Sequence, residues 1–373
     1  MKQLTRVMLI CALIVFLDGY DLQALSLAIP SLAQAWSLRP AAFAWALSSS
    51  LIGLGLGSAF IAPLGDRLGR RPLLIGGLIV VGVGTLAIAS ATAVTELILW
   101  RLVTGLGLGV CQANATALTS EFAPLQKRAG LITLMGCNVA VGALFAGLLA
   151  PLLLGRGDWR AIFIVGGIAP LLLALLVWRA LPESPTLSQR VAKPAGSVQL
   201  LMRAPYLQRT LCYWLLYGLA AMLLYLLVSW LPAFLVSAGW HRNAAVRGIA
   251  VLQLGGIVGA LLLARLIDKR QTLVALCAAY LLAAIVAPLF LVASPSGGLW
   301  WPLLLLLGAA IAGGMFAVMS LGGLFYPDEL RATGFGWAAA VARVGAVLGP
   351  LLGGRVLAEG VSATHIIAWI AVP

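Results

Sequence analysis

Apolar stretches of about 20 residues recur along this chain from one end to the other, and most of its charge sits in the short loops that separate them. A helix rises ~1.5 Å per residue, so about 20 apolar residues are needed to cross a ~30 Å hydrocarbon core. The spans read at roughly 7–29, 42–64, 73–91, 96–120, 129–153, 161–181, 209–235, 247–267, 271–293, 300–325, 333–357 and from 363 onward. The last runs from Ala363 to Pro373, about 16 Å of helix, and is too short to cross. Only 9% of residues are charged, against about 25% in an ordinary soluble domain, so no soluble surface can be built. The predicted fold class is an all-α membrane protein with an incomplete twelfth helix. The first stretch, Val7 to Ile29, is not a signal peptide: it is too long, carries Asp18 and Asp21, and precedes no small-residue cleavage site.

The formal net charge is +13, but the basic residues are not clustered on one soluble element, which excludes a nucleic-acid partner. With the N-terminus placed inside, sixteen basic residues fall on the cytoplasmic side and six outside. That bias follows the positive-inside rule and sets the expected orientation. The five cysteines all lie in apolar spans, there is no CxxC, and His241 and His365 are the only histidines, so neither a disulfide framework nor a metal site is expected. The longest connection, with PESPTLSQR and KPAGS, reads as a polar linker. The expected organisation is a six-helix half over 1–181, a cytoplasmic linker over 182–208, and a second half over 209–373.

The halves repeat. Gly53, Gly57, Asp66 and Arg67 recur 202 positions later as Gly255, Gly259, Asp268 and Lys269. Gly105, Phe122, Pro124, Arg128 and Ala129 recur 203 positions later as Gly308, Phe325, Pro327, Arg331 and Ala332. Six spans per copy is an even number, so the two copies run in parallel. Parallel repeats with a site near the midplane are a transporter architecture, and a membrane scaffold has no need of the symmetry.

Charge inside a span is costly and marks function. Asp18 and Asp21 are the only acidic residues deep in a span, and their i,i+3 spacing puts them on one helix face. Two carboxyls there suit uptake and release of a proton; the competing reading is a structural ion pair with an arginine. Arg101 enters the fourth span at about the depth of Asp21, where it suits either a protonation-dependent pairing or a permanent salt bridge. Arg343 sits about ten residues into the eleventh span, with no acid at that depth in its own half. Its fork can bind a carboxylate bidentately, against the alternative of pairing with Asp18 or Asp21. Tyr20, Gln23, Asn138, Tyr217, Tyr225 and Gln253 lie at similar depth and either line a cavity or are ordinary helix packing. The loop GDRLGRRP, Gly65 to Pro72, is a topology anchor or a latch that opens as a carrier changes conformation. The gating candidates are Asp66, Arg67, Gly69, Arg70, Glu121 and Arg128, with Asp268 and Arg331 in the second half.

GDRLGRRP resembles the loop signature of the major facilitator superfamily, with Ala62 where that signature usually has glycine. RLVTGLGLG, Arg101 to Gly109, resembles its fourth-helix motif, and LPESP, Leu181 to Pro185, the segment after its sixth helix. Within the superfamily, DGYDLQ, Asp18 to Gln23, and the long segment Tyr326 to Gly354 are similar to the aromatic acid:proton symporters. The stretch around YLLVSWLP, Tyr225 to Pro232, resembles carriers of hydroxyphenylpropionate-type acids. The resemblance implies a major facilitator fold of two parallel six-helix halves. It also implies a non-enzymatic, monomeric carrier in a bacterial cytoplasmic membrane, importing a small aromatic carboxylate with protons and no other cofactor. A symporter of another organic acid or a sugar is the alternative, followed by a non-transporting chemoreceptor. A drug exporter fits less well, since Arg343 repels cationic cargo.

Overall fold

The computed structural model describes residues 2–124, 128–154, 158–183, 198–269, 271–294, 298–326 and 328–369, and every regular element among them is a helix. Six long helices form the first compact unit, Met1–Val191. They are α1 (Lys2–Ala35), α2 (Ala44–Leu56), α3 (Arg70–Ala89), α4 (Val94–Phe122), α5 (Arg128–Leu154) and α6 (Arg160–Ala180). The second unit, Ala192–Pro373, holds α7 (Leu207–Ser237), α8 (Arg242–Asp268), α9 (Thr272–Val292), α10 (Trp300–Phe325), α11 (Asp328–Ala358) and α12 (Ala363–Trp369). Among the described residues, eleven helices are long and apolar enough to cross a membrane. α12 has seven residues, about 10 Å, and buries Ile366 and Ile367. A four-residue helix, Val198–Leu201, lies in the segment expected to be a linker, of which 184–197 fall outside the described residues.

The helices run past the apolar stretches that predict them. α1 starts five residues earlier than expected and ends six later, because a backbone already in a helix continues until a residue stops it. Here the stop is Ser37, at φ 54, followed by the Arg39–Pro40 step. The second span is one continuous crossing, Pro40–Leu68, but not one regular helix. After Leu56 it widens to a π-helical turn over Gly57–Ile61, then tightens to a 3-10 turn over Ala62–Leu64. Pro63 has no N–H to give the preceding turn, so the ladder shifts around it. The short helix Gly65–Leu68 ends at Gly69, whose φ of 98 and ψ of 147 only glycine adopts readily.

Each unit is assembled from the same three helix pairings. In the first, α1 packs on α5, α2 on α4 and α3 on α6; in the second, α7 packs on α11, α8 on α10 and α9 on α12. Glycines set the closest of these crossings. A Cβ at Gly53 or Gly57 would lie 2.2 or 2.1 Å from the carbonyl oxygen of Leu102 or Leu106 on α4. A Cβ at Gly255 or Gly259 would lie 2.0 or 2.3 Å from that of Leu305 or Ala309 on α10. None of these four distances can be tolerated, so the backbones are in contact. Water drives no association between apolar helices inside a bilayer, and this close packing takes its place. The repeated glycines therefore mark repeated crossings.

Candidate functional site

In the first unit, three ionisable side chains are buried in the bundle interior. Asp18, Asp21 and Arg101 are each 1% exposed. Arg101 Nη1 donates to Asp21 Oδ2 at 2.7 Å and to the Asp21 carbonyl at 3.1 Å. The other Asp21 oxygen, Oδ1, accepts from Thr85 Oγ1 of α3 at 3.0 Å. Asp18, one turn earlier on α1, accepts at Oδ2 from Gln112 Nε2 at 3.0 Å. Arg101 and Gln112 are eleven residues apart on α4, three turns, and so share a face that meets the carboxyl face of α1. Two long donors thus converge on two carboxylates spaced by a single turn. A permanent salt bridge and a protonation-dependent pairing both predict this contact, and it is formed here.

The polar residues expected near this depth have diverse surroundings. Gln23 is fully buried. The Tyr20 hydroxyl donates to the Ile162 carbonyl of α6 at 2.9 Å, tying α1 to α6. Asn138 Nδ2 donates to the Leu134 carbonyl of its own helix at 2.9 Å. Both therefore have partners inside the first unit.

In the second unit, the pairing of α7 with α11 places an arginine beside tyrosines. The two backbones touch at Gly345, where a Cβ would lie 2.0 Å from the Gly218 carbonyl oxygen. Arg343 precedes this crossing by two residues, and Tyr217 flanks it on α7. Tyr217 accordingly lies within electrostatic reach of both Arg343 and Tyr225. Arg343 Nη1 is buried and has no hydrogen-bond partner among the described residues. Tyr217 stacks on Tyr213, with ring centroids 5.9 Å apart and planes inclined by 17°. Gln253, on α8, is buried in the same unit. The crossing thus sets a guanidinium with an unused donor within electrostatic reach of Tyr217.

The gating candidates of the first unit cluster around Arg70. Its Nε lies 2.8 Å from Glu121 Oε1, its Nη2 3.1 Å from Asp66 Oδ1, and its Nη1 3.5 Å from Asn114 Oδ1. Glu183 Oε1 accepts the backbone N–H of Arg70 at 2.8 Å and of Arg71 at 3.2 Å, which caps the start of α3 with a carboxylate. Gly69 is buried under it, and a Cβ there would come within 2.8 Å of Glu183 Oε2. Arg67 is exposed. The side chains of Arg128, Asp268 and Arg331 lie outside the described residues.

Sequence reasoning missed Thr85, Gln112, Asn114 and Glu183. The eleven-residue interval from Arg101 could have found Gln112, and LPESP holds Glu183; Thr85 carries no signal of its own. Among the described residues no cluster suited to a metal ion occurs, and all five cysteines are free thiols.

The family model of the Major Facilitator Superfamily matches residues 11–350. The chain is 36% identical to the 3-(3-hydroxy-phenyl)propionate transporter of Escherichia coli strain K12, over 96% of this chain and 88% of that one. It is 33% identical to the 4-hydroxybenzoate transporter PcaK of Pseudomonas putida, over 99% of this chain and 89% of that one. Among solved structures, the nucleoside transporter NupG superposes with a TM-score of 0.81 at 15% identity, covering 99% of this chain and 97% of that chain.

Proposed function

The chain belongs to the Major Facilitator Superfamily, and we propose that it imports a small aromatic carboxylate of the hydroxybenzoate or hydroxyphenylpropionate kind, coupled to protons, by alternating access. The observation that carries this reading is Arg343. A partly buried guanidinium with an unused Nη1 donor beside Tyr217 is suited to hold a carboxylate while the tyrosine ring faces an arene. The relatives at 36% and 33% identity, whose names specify hydroxylated aromatic acids, support the same class.

Asp18, Asp21 and Arg101 are assigned to the proton. Energetics favour coupling: importing a monoanion against a negative interior costs about 2.3 kcal/mol per 100 mV, and one co-transported proton cancels that charge. Tyr20, Gln23, Asn138, Tyr225 and Gln253 remain secondary candidates for substrate contact. The Arg70 cluster is assigned to conformational switching. The proposal includes a monomer in a bacterial cytoplasmic membrane, and the asymmetry of the basic loops supports an N-terminus inside.

The test is uptake by proteoliposomes under an imposed proton gradient, with a panel of aromatic acids in competition. Accumulation that needs the gradient and is competed by hydroxylated aromatic acids supports the proposal. Binding without accumulation would instead make the protein a receptor.

A further inference from the structure

We propose that the first unit carries a binding site for one anionic glycerophospholipid, its phosphate held by Arg6, Arg71 and Arg179 and an acyl chain lying along α3. Three helices bring the arginines together: Arg6 is in the second turn of α1, Arg71 in the first turn of α3, and Arg179 in the last turn of α6. They line one cavity of about 410 Å³, completed by Gln3, Ala180, Leu181 and Pro182, with no acidic residue in its wall among the described residues. Among the described residues, no carboxylate lines the space that these three guanidiniums share. A phosphate monoanion is opposite to them in sign and suits the forked geometry that arginine offers.

Two further observations turn an anion site into a lipid site. Arg71 is oriented by its Nη2 hydrogen bond to the Trp178 carbonyl, while its Nε is buried without a hydrogen-bond partner among the described residues. The same arginine also lines a second cavity of about 500 Å³, which runs along the outer face of α3 past Pro72, Ile75, Gly76 and Ile79 to Trp178. Ile79 and Trp178 are exposed, and a side chain at Gly76 would meet nothing within 4 Å. A free phosphate has no use for an apolar groove that continues from its binding cavity into a membrane-spanning helix. A phospholipid does, and tryptophan at that level is typical of the headgroup boundary. Glu183 also borders this groove, but its Oε1 is engaged by the amides of Arg70 and Arg71. Basic pockets between helices at the more basic side of a membrane protein favour anionic headgroups.

Purified protein in neutral detergent is to be offered equimolar dioleoyl phosphatidylglycerol and dioleoyl phosphatidylcholine, and retained lipid counted by native mass spectrometry. One phosphatidylglycerol should be retained in clear preference. Each arginine near an anionic headgroup contributes about a fivefold factor in affinity, so Arg6→Gln with Arg179→Gln should lower the preference about 25-fold. Arg203→Gln with Arg209→Gln, which removes the same charge elsewhere, should leave it in place. Gly76→Trp keeps every charge but fills the groove, and should lower retention of the long-chain lipid. An equal loss in the Arg203/Arg209 variant, or a preserved preference in the Arg6/Arg179 variant, overturns the site. Equal thermal stabilisation by millimolar inorganic phosphate alone overturns its assignment to a lipid.

Discussion

Asp21 and Arg101 form a buried ion pair, with Nη1 and Oδ2 separated by 2.7 Å and neither residue more than 1% exposed. Removing one partner strands the other charge in an apolar interior, which costs about 3–5 kcal/mol. Asp21→Asn and Arg101→Gln should each lower the melting temperature markedly. The double variant should recover most of the loss, because it strands nothing. Asp18→Asn should be milder, since an amide oxygen can still accept from Gln112. Thermal unfolding in detergent across these four variants checks the ordering; additive losses in the double variant would deny the pairing its role in stability.

The same residues carry the prediction for coupling. An amide cannot cycle a proton, so Asp18→Asn or Asp21→Asn should abolish gradient-driven accumulation in proteoliposomes. Counterflow of labelled against unlabelled substrate, which needs no net proton movement, should survive in Asp18→Asn. If both single variants accumulate substrate like the native protein, the proton is carried elsewhere.

The cluster around Arg70 should act on rate rather than on affinity. Asp66 and Glu121 both pair with it, and Glu183 caps α3 through two backbone amides. Asp66→Asn should slow transport while equilibrium substrate binding stays near the native value. Glu183→Gln keeps the acceptor but loses the charge at the helix start, a loss of about 0.3–1 kcal/mol. Gly69→Ala should be worse, about 1–3 kcal/mol, since it forces a Cβ into a backbone conformation reserved for glycine and against Glu183 Oε2. Paired binding and transport measurements separate these outcomes. A large loss of binding with an unchanged turnover of bound substrate would contradict the assignment.

The spans were legible because length and hydropathy are properties of a single helix. The glycine repeat was legible for a related reason: close packing leaves its mark on both partners, so Gly53, Gly57 and Gly105 recur as Gly255, Gly259 and Gly308. The polar partners were harder to read, since they depend on how each helix is rotated against its neighbour. Asp21 was visible as an intramembrane acid, but its Thr85 partner on α3 was not. Tyr20 and Asn138 sat at the expected depth, yet depth did not reveal that they bond to the Ile162 and Leu134 carbonyls. Arg343 stands out by its charge, its depth and the lack of an acid at that depth in its half, and the Gly218–Gly345 crossing explains its neighbour Tyr217.

The substrate class depends on Arg343. α11 is long enough to cross, and Arg343 lies near its middle, so its side chain cannot reach either surface. It is only partly buried, and Nη1 has no partner among the described residues, so the guanidinium holds a donor in reserve. A carboxylate supplies two acceptors in the plane of that fork. Arg343→Ala should therefore reduce substrate affinity by at least about 30-fold, the lower end of the loss seen when one member of a buried charged pair is truncated. Arg343→Lys keeps the charge but loses the two parallel hydrogen bonds, and should bind weakly. An uncharged amide analogue of the acid should bind poorly to the native protein, and the discrimination against it should largely vanish in Arg343→Ala. Tyr217→Phe, which keeps the ring, should bind far better than Tyr217→Ala. Isothermal titration of acid and amide into purified native protein, Arg343→Lys and Arg343→Ala gives the ratios directly. If Arg343→Ala still prefers the acid by the native ratio, the carboxylate is read by another cation, and Arg101 is the one to substitute next.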